Sequence, residues 1–371
     1  MRSMLIAAVA ALVGCAQPDV VETGPRLVTL GDDALGAARD VTARSGRPYH
    51  ALERDGDVSL IQLDARDLGA LTGAIHERTG RCGGFELHDS LLDGELAMHG
   101  AHVAARPSLD YSIDHPAEVA AVLPQLDAER IRATIAELSA MKSRYYRSES
   151  GAAASTWLRD RWKSFTTRKR ITVELVETGY PQKSVVMTIP GTTRASEVIV
   201  IGANLDSIAI TGDPRNAPGA DDDASGIATL TEVARVLLAG DYRPARTIQL
   251  MAYAAEEVGL RGSLQIARDY QKRKINVVGA LQLDMTNYQG SDKDIWLIDD
   301  FTSAAQNTLL AQLIETYVGA SYGHDKCGYA CSDHAAWHRI GVPASMPFEA
   351  RFKDANQNIH SQRDTLETSH G

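Results

Sequence analysis

The chain has 371 residues, 44% apolar and 23% charged, a globular balance that excludes disordered and fibrous classes. That length accommodates one large domain and a smaller one. A formal net charge of −10 argues against nucleic acid as a partner, because phosphate backbones need clustered Lys and Arg.

The N-terminus begins with Arg2, an apolar run from Met4 to Val13, and then Gly14 and Cys15. The run is too short to span a bilayer. A basic start, a short apolar core and small residues together describe an export signal over 1–15. Its ending, Leu12-Val13-Gly14-Cys15, resembles a bacterial lipobox, which implies lipidation at Cys15. Ala16 rather than Asp follows, and in such signals this implies the outer membrane. A plain secretory signal with an incidental cysteine is the alternative. Either way the protein is exported and disulfides are permitted.

Residues 16–25 read as a polar tether. Residues 26–108 then alternate strand and helix patterns and form a small α/β unit. Arg26 to Leu30 and Val58 to Leu63 read as strands, Asp33 to Ala43 and Ala65 to Thr79 as helices. Leu68, Leu71 and Ile75 share one helix face. Cys82-Gly-Gly-Phe85 opens another extended piece. From residue 109 to 371 a larger α/β domain follows. Asp127 opens a helix with Ile131, Ile135 and Leu138 in register, and Gly151 to Phe165 is a second helix. Ile171 to Val176, Ser184 to Ile189, Val198 to Gly202, Thr247 to Tyr253, Val277 to Met285 and Asp294 to Ile298 read as strands. Helices over Ser225 to Leu238, Arg261 to Tyr270 and Ser303 to Tyr317 separate the later ones. This alternation implies a mostly parallel, mixed central sheet with helices on both faces.

In such sheets chemistry collects where strands end at their carboxyl side. Val198 to Gly202 leads into Asn204 and Asp206. Thr247 to Tyr253 leads into Glu256-Glu257. The strand ending at Leu283 delivers Asp284, and Asp221-Asp222-Asp223 precedes the helix at Ser225. Clustered carboxylates repel one another and lose solvation when buried, and a cation offsets both. Carboxylates with a histidine suit zinc. Each piece also has a plainer reading: the three aspartates cap a helix N-terminus, and Glu256-Glu257 is a solvated helix start.

Four segments carry a resemblance. Ala217-Pro-Gly-Ala-Asp-Asp-Asp-Ala-Ser-Gly226, Met251-Ala-Tyr-Ala-Ala-Glu-Glu-Val-Gly-Leu-Arg-Gly-Ser263, Leu281-Gln-Leu-Asp-Met-Thr-Asn-Tyr288 and Cys327-Gly-Tyr-Ala-Cys-Ser-Asp-His334 closely resemble the bacterial leucyl aminopeptidases with two zinc ions. The resemblance runs from about residue 110 to 366. It implies the zinc exopeptidase fold and, for 26–108, a removable propeptide that chaperones or masks the site. It implies that Asp222 bridges two metals, that Glu257 and His360 complete one site, and that Asp284 and position 204 complete the other. Glu256 matches the general base and Asp206 the carboxylate behind the position-204 ligand. Cys327 and Cys331 match a disulfide beside the substrate pocket, with free thiols or a metal half-site as alternatives. Met285, Ile298, Tyr329, Phe348, Phe352 and Ile359 match the pocket for an apolar first side chain, with ordinary core packing as the plainer reading. Ala355 stands at an aromatic position of that pocket, which implies more room. The implied partners are peptides with free apolar N-termini, and the precedent is a monomer.

One departure bears on the metal site. The family has His where this chain has Asn204. A neutral amide oxygen is a poor zinc ligand beside imidazole, so the second site is expected to bind zinc weakly or prefer a harder ion. The leading reading is a metal-dependent aminopeptidase whose metal-activated water is served by Glu256. The alternatives are a catalytically impaired homologue that binds peptide or metal, and the same fold acting on another amide.

Overall fold

A computed structural model of the protein describes residues 22–79, 84–98, 111–210, 213, 215–240 and 242–369. The export signal, Cys15, Cys82 and the boundary near 108 lie outside the described residues. Among those residues no helix is long and apolar enough to cross a membrane.

The N-terminal unit contains strands β1 (Pro25–Gly31), β2 (Tyr49–Asp55), β3 (Val58–Asp64) and β4 (Phe85–His88), with helices α1 (Leu35–Ser45), α2 (Leu68–Thr79) and α3 (Leu91–Met98). Its strand order is β2-β3-β1-β4, antiparallel throughout. Leu68, Leu71 and Ile75 turn one face of α2 into a core with Val28, Leu30, Ile61 and Leu63. The strand β2 has no apolar alternation, and most of its residues are exposed.

The larger unit opens with α4 (Pro116–Val122), α5 (Ala128–Ser139) and α6 (Glu149–Ser164). Asp127 caps α5 by accepting from the Glu129 N–H at 3.0 Å, and Ser148 caps α6 by accepting from the Gly151 N–H at 2.9 Å. The elements β5 (Thr172–Val176), β6 (Ser184–Ile189), β7 (Arg194–Asn204), α7 (Gly226–Ala239), β8 (Arg246–Tyr253), α8 (Arg261–Lys272) and β9 (Asn276–Gln282) follow. Then come β10 (Ile295–Ile298), α9 (Ala304–Leu313), β11 (Tyr322–Asp325), α10 (His334–Arg339), β12 (Ala344–Ser345) and β13 (Pro347–Phe348). The central sheet runs β12-β9-β7-β8-β6-β5. Its first three pairings are parallel and the last two antiparallel, the mixed sheet that the sequence pattern implies. A small sheet, β11-β10-β13, stands beside it.

Alternation along the strands fills both faces. Val185 and Met187 of β6 and Leu250 and Ala252 of β8 pack with α5, α6 and α7 through Leu138, Trp162 and Ile227. Val186, Met251 and Tyr253 point the other way, toward Leu264 of α8 and Trp337 of α10. Where the indoles are buried their N–H groups are used: Trp162 donates to Thr231 Oγ1 at 3.0 Å and Trp337 to the Tyr253 hydroxyl at 2.8 Å.

The loops at the strand ends are knitted by Arg144, which is fully buried. Its guanidinium donates to the carbonyls of Leu205 (3.0 Å), Pro218 (2.5 Å) and Gly219 (2.8 Å). The Gly219 carbonyl also accepts from the Ala224 N–H at 3.0 Å, so Arg144→Leu would leave the carbonyls of Leu205 and Pro218 unpaired. That variant is expected to lose about 3 kcal/mol or more of stability, read as a lower urea midpoint at unchanged slope. An unchanged midpoint would show that the loops hold themselves.

Candidate metal centre

The carboxyl ends of β7, β8 and β9 meet at one place. Asn204 is the last residue of β7, Glu256 and Glu257 follow β8, and Asp284 follows β9. The segment before α7 brings Asp222, and the loop after β13 brings His360. Ligand atoms of Asp222, Glu257 and His360 all lie within 4.8 Å of one another, and all three residues are buried. His360 Nε2 stands 3.1 Å from Asp222 Oδ2 and 2.9 Å from Glu257 Oε2. Neither Nε2 nor either Glu257 oxygen has a hydrogen-bond partner. Atoms this close without donor–acceptor alignment converge on a common point instead of on each other.

The backbone is strained around this point. Ala255, Met285 and His360 have φ of 57°, 56° and 54°, a region that side-chain-bearing residues rarely adopt. Ala255 precedes Glu256, Met285 follows Asp284, and His360 is itself one of the converging groups.

Other acids hold the strained loops. Asp206 accepts from the Glu256 N–H at 2.9 Å and the Glu257 N–H at 3.3 Å, so it positions those glutamates through their backbone. Asp364 accepts from the Asp221 N–H (2.9 Å) and the Asp222 N–H (3.1 Å). The three consecutive aspartates do three different jobs. Asp221 accepts from the Asn356 side chain at 2.9 Å and the Asn287 N–H at 3.3 Å. Asp222 belongs to the converging cluster. Asp223 accepts from the N–H groups of Asn204 (3.0 Å), Gly226 (2.8 Å) and Met285 (3.2 Å), joining β7, α7 and the end of β9. The sequence offers Asp223 only as one of three helix-capping aspartates, and it singles out neither Asp364 nor Arg144. Their partners lie far along the chain, as in the 143-residue separation between Asp364 and Asp221, so no local spacing announces them.

Burial pushes the Glu256 and Asp284 carboxyls well above the usual carboxylate range, and Glu257 up to about 8. Repulsion adds to burial: Asp333 acts on Glu256, and Asp222 acts on both Asp284 and Glu257. A divalent cation among these groups would offset both effects. The set Asp222, Glu257 and His360 fits zinc, which takes three carboxylate or imidazole ligands and keeps an open position in catalytic sites.

Position 204 differs. Both side-chain polar atoms of Asn204 are buried without a partner. Asp284 keeps Oδ1 unpartnered while Oδ2 accepts from Ser332 Oγ at 2.5 Å.

Beside the centre, Met285, Ile298, Tyr329, Phe348, Phe352 and Ile359 pack in one apolar cluster with Trp296 and Ala355. Phe352 lies between Tyr329 and Phe348, with ring centroids 5.9 and 5.7 Å away. Cys327 and Cys331 of this cluster form a disulfide with an S–S distance of 2.02 Å.

The N-terminal unit docks on this same face. On α2, Thr72 Oγ1 donates to the Glu257 carbonyl at 3.1 Å, and the His76 ring lies 4.7 Å from the His360 ring. A Cβ at Gly73 would stand 2.9 Å from Ile210 Cγ2, so a glycine is what lets the helix approach. Arg339 pairs with buried Glu86, and Arg268 pairs with Asp89 (2.6 Å) and Asp93.

A buried acid–histidine cluster at the carboxyl end of a mixed α/β sheet defines a metal-dependent hydrolase of the zinc exopeptidase fold. Residues 184–371 match peptidase family M28. The chain is 35% identical over 283 residues to leucine aminopeptidase 1 of Coccidioides posadasii, covering 72% of each. It superposes on LapB of Legionella pneumophila with a TM-score of 0.81 at 30% identity, and on the LapA aminopeptidase of that organism with 0.79 at 28%, each over 94% of both chains. The protein therefore belongs to peptidase family M28 and is a hydrolase acting on peptide bonds.

Asp364 touches the centre through backbone alone. Asp364→Ala is expected to lower zinc affinity by roughly ten- to a hundredfold, the usual cost of losing a group that orients a ligand. Competition against a chelating dye measures this. Unchanged affinity would show that the Asp222 loop needs no such support.

Proposed function

We propose that the protein is an exported aminopeptidase that removes apolar N-terminal residues from peptides, with one zinc ion held by Asp222, Glu257 and His360. The observation that carries this reading is the convergence of ligand atoms from these three buried residues, with the Glu257 oxygens and His360 Nε2 free of hydrogen-bond partners. When bound, the ion lowers the pKa of the attacking water and polarises the scissile carbonyl. Glu256, held by Asp206 through its backbone, takes the proton from that water and delivers it to the leaving amine. Its raised proton affinity, set by burial, suits an acid that must hold a proton between the two transfers. The cluster of Met285, Ile298, Tyr329, Phe348, Phe352 and Ile359 receives the first side chain, and Ala355 leaves it room. Zinc at the second position is weak, because Asn204 replaces imidazole with an amide.

The N-terminal unit acts as a propeptide that masks the site until removed. Thr72 and His76 stand where a peptide would approach Glu257 and His360. The export-type signal ending at Cys15 supports a location outside the cytoplasm, with a lipid anchor to the outer membrane or, with an incidental cysteine, plain secretion.

A second reading, a catalytically impaired homologue, is favoured by Asn204 alone. Leucine-anilide hydrolysis with added zinc, run beside Asn204→His, separates the two. Turnover in both chains is expected; turnover confined to Asn204→His would establish impairment. Glu256→Gln is expected to lower kcat by about a hundredfold or more while zinc content holds. A smaller loss would remove Glu256 from the proton path.

The mask has its own test. Gly73→Leu is expected to raise the rate of the uncleaved chain by about ten-fold, since overpacking costs ~1–3 kcal/mol of docking. Equal rates before and after cleavage of the wild-type chain would remove the masking role.

A further inference from the structure

We infer that Asp284 and Asn204 form the subsite for the protonated α-amine of the substrate, at the place where a second metal ion would otherwise be held. This rests on the aminopeptidase reading above and adds what recognises the free terminus.

The two side chains are neighbours by construction. β7 and β9 run parallel with Gly202 opposite Gln282, and Leu283 N–H donates to the Gly202 carbonyl at 2.8 Å. Two residues further on stand Asn204 and Asp284. The Asp223 carboxylate accepts from the N–H of Asn204 on one strand end and of Met285 on the other, clamping them side by side.

Both side chains have unused polar atoms although both are buried. Asn204 is 0% exposed and Asp284 4%. Asn204 Oδ1 and Nδ2 and Asp284 Oδ1 have no partner. A buried polar atom without a partner is costly, and an aligned pair of such residues at a reaction centre marks a ligand contact. The orphan set asks for a donor. Asp284 Oδ1 and the amide oxygen are acceptors, and a free amide can turn its oxygen toward an incoming N–H.

Charge selects the donor. The buried acceptors Asp284 Oδ1 and Asn204 Oδ1 favour a charged donor, because hydrogen bonds from charged groups are the stronger ones. Zinc does not fit the remaining place, because Asp222, Asp284 and Asn204 offer oxygen alone and no imidazole. A peptide's α-amine, with an ordinary pKa of about 7.7–8.0, is largely an ammonium at neutral pH. It brings positive charge and N–H donors together. An internal peptide segment brings N–H donors but no positive charge, and would bury Asp284 without a counter-charge. The subsite therefore admits free N-termini and rejects interior bonds.

Calorimetry on the zinc-loaded full chain, with isoamylamine and isoamyl alcohol as probes at neutral pH, tests the subsite without relying on turnover. The amine is expected to bind about ten-fold or more tightly than the alcohol, the scale of a charge-assisted buried hydrogen bond. Asp284→Asn and Asn204→Leu are expected to lose that preference while each retains one zinc. Equal binding of the probes, binding of neither, or two tightly held zinc ions in the wild-type chain would overturn the inference. Leucine-anilide hydrolysis measured in parallel keeps the two readings apart. Amine preference without hydrolysis sinks the peptidase reading and leaves the subsite, and hydrolysis without amine preference sinks the subsite alone.

Discussion

The structure depends on burying many carboxylates at one end of a sheet, and it does so by dividing them into two kinds. Asp206, Asp221, Asp223 and Asp364 use their oxygens on N–H donors, mostly of the backbone. Burial still pushes Asp206 and Asp364 up to about 7, and the backbone N–H groups they accept from pull the other way. These acids fix the loops. Glu257 and Asp284 instead keep oxygens with no internal partner. A fold cannot leave such atoms idle without cost, so their role is defined by what arrives from outside. The division explains why three adjacent aspartates are needed: only the middle one faces the cluster, and its neighbours hold it there.

The N-terminal unit reaches this end of the sheet with the same chemistry turned outward. Its acids Glu86, Asp89 and Asp93 meet Arg339 and Arg268 on α10 and α8. Glu22 meets Arg261, which is almost wholly buried between the rings of Tyr146 and Tyr180. Ion pairs of this kind contribute little net affinity, since desolvation offsets attraction, but they fix register. Register is what a covering helix needs. A small rotation of α2 would move Thr72 from the Glu257 carbonyl and set a larger residue against Ile210 in place of Gly73.

Much of this was legible in the sequence, for a physical reason. Buried strands announce themselves as apolar runs, and the chemistry sits one or two residues past their ends, so Glu256, Glu257 and Asp284 stood out. The resemblance brought His360 and the pocket residues, none of which has a local signal. What stayed hidden was of two kinds. Elements without an apolar rhythm, such as exposed β2 and the short helix α10, gave no period to read. Long-range supports such as Asp364 and Arg144 are ordinary polar residues until the fold closes. Boundaries moved where function bends the backbone. The apolar pattern continues to Met285, but β9 ends at Gln282, because the chain turns there to present Asp284 and sets Met285 at positive φ.

The exchange of histidine for Asn204 can be weighed in these terms. Neutral imidazole and a carboxamide carry the same formal charge, so the substitution leaves the electrostatic demand of the acids untouched. What changes is the donor: a strong nitrogen ligand becomes a weak oxygen one. The acids still call for positive charge, and on the proposed reading zinc at this position is held too weakly to supply it. A cation that is bound by hydrogen bonds instead of coordination meets the same demand, and an oxygen acceptor suits it better than an imidazole nitrogen whose protonation would compete. In a peptidase that acts at free termini, every productive substrate carries such a cation. The balance of charge at the centre is then completed by substrate binding itself, which ties recognition of the N-terminus to the same buried carboxylates that assemble the catalytic site.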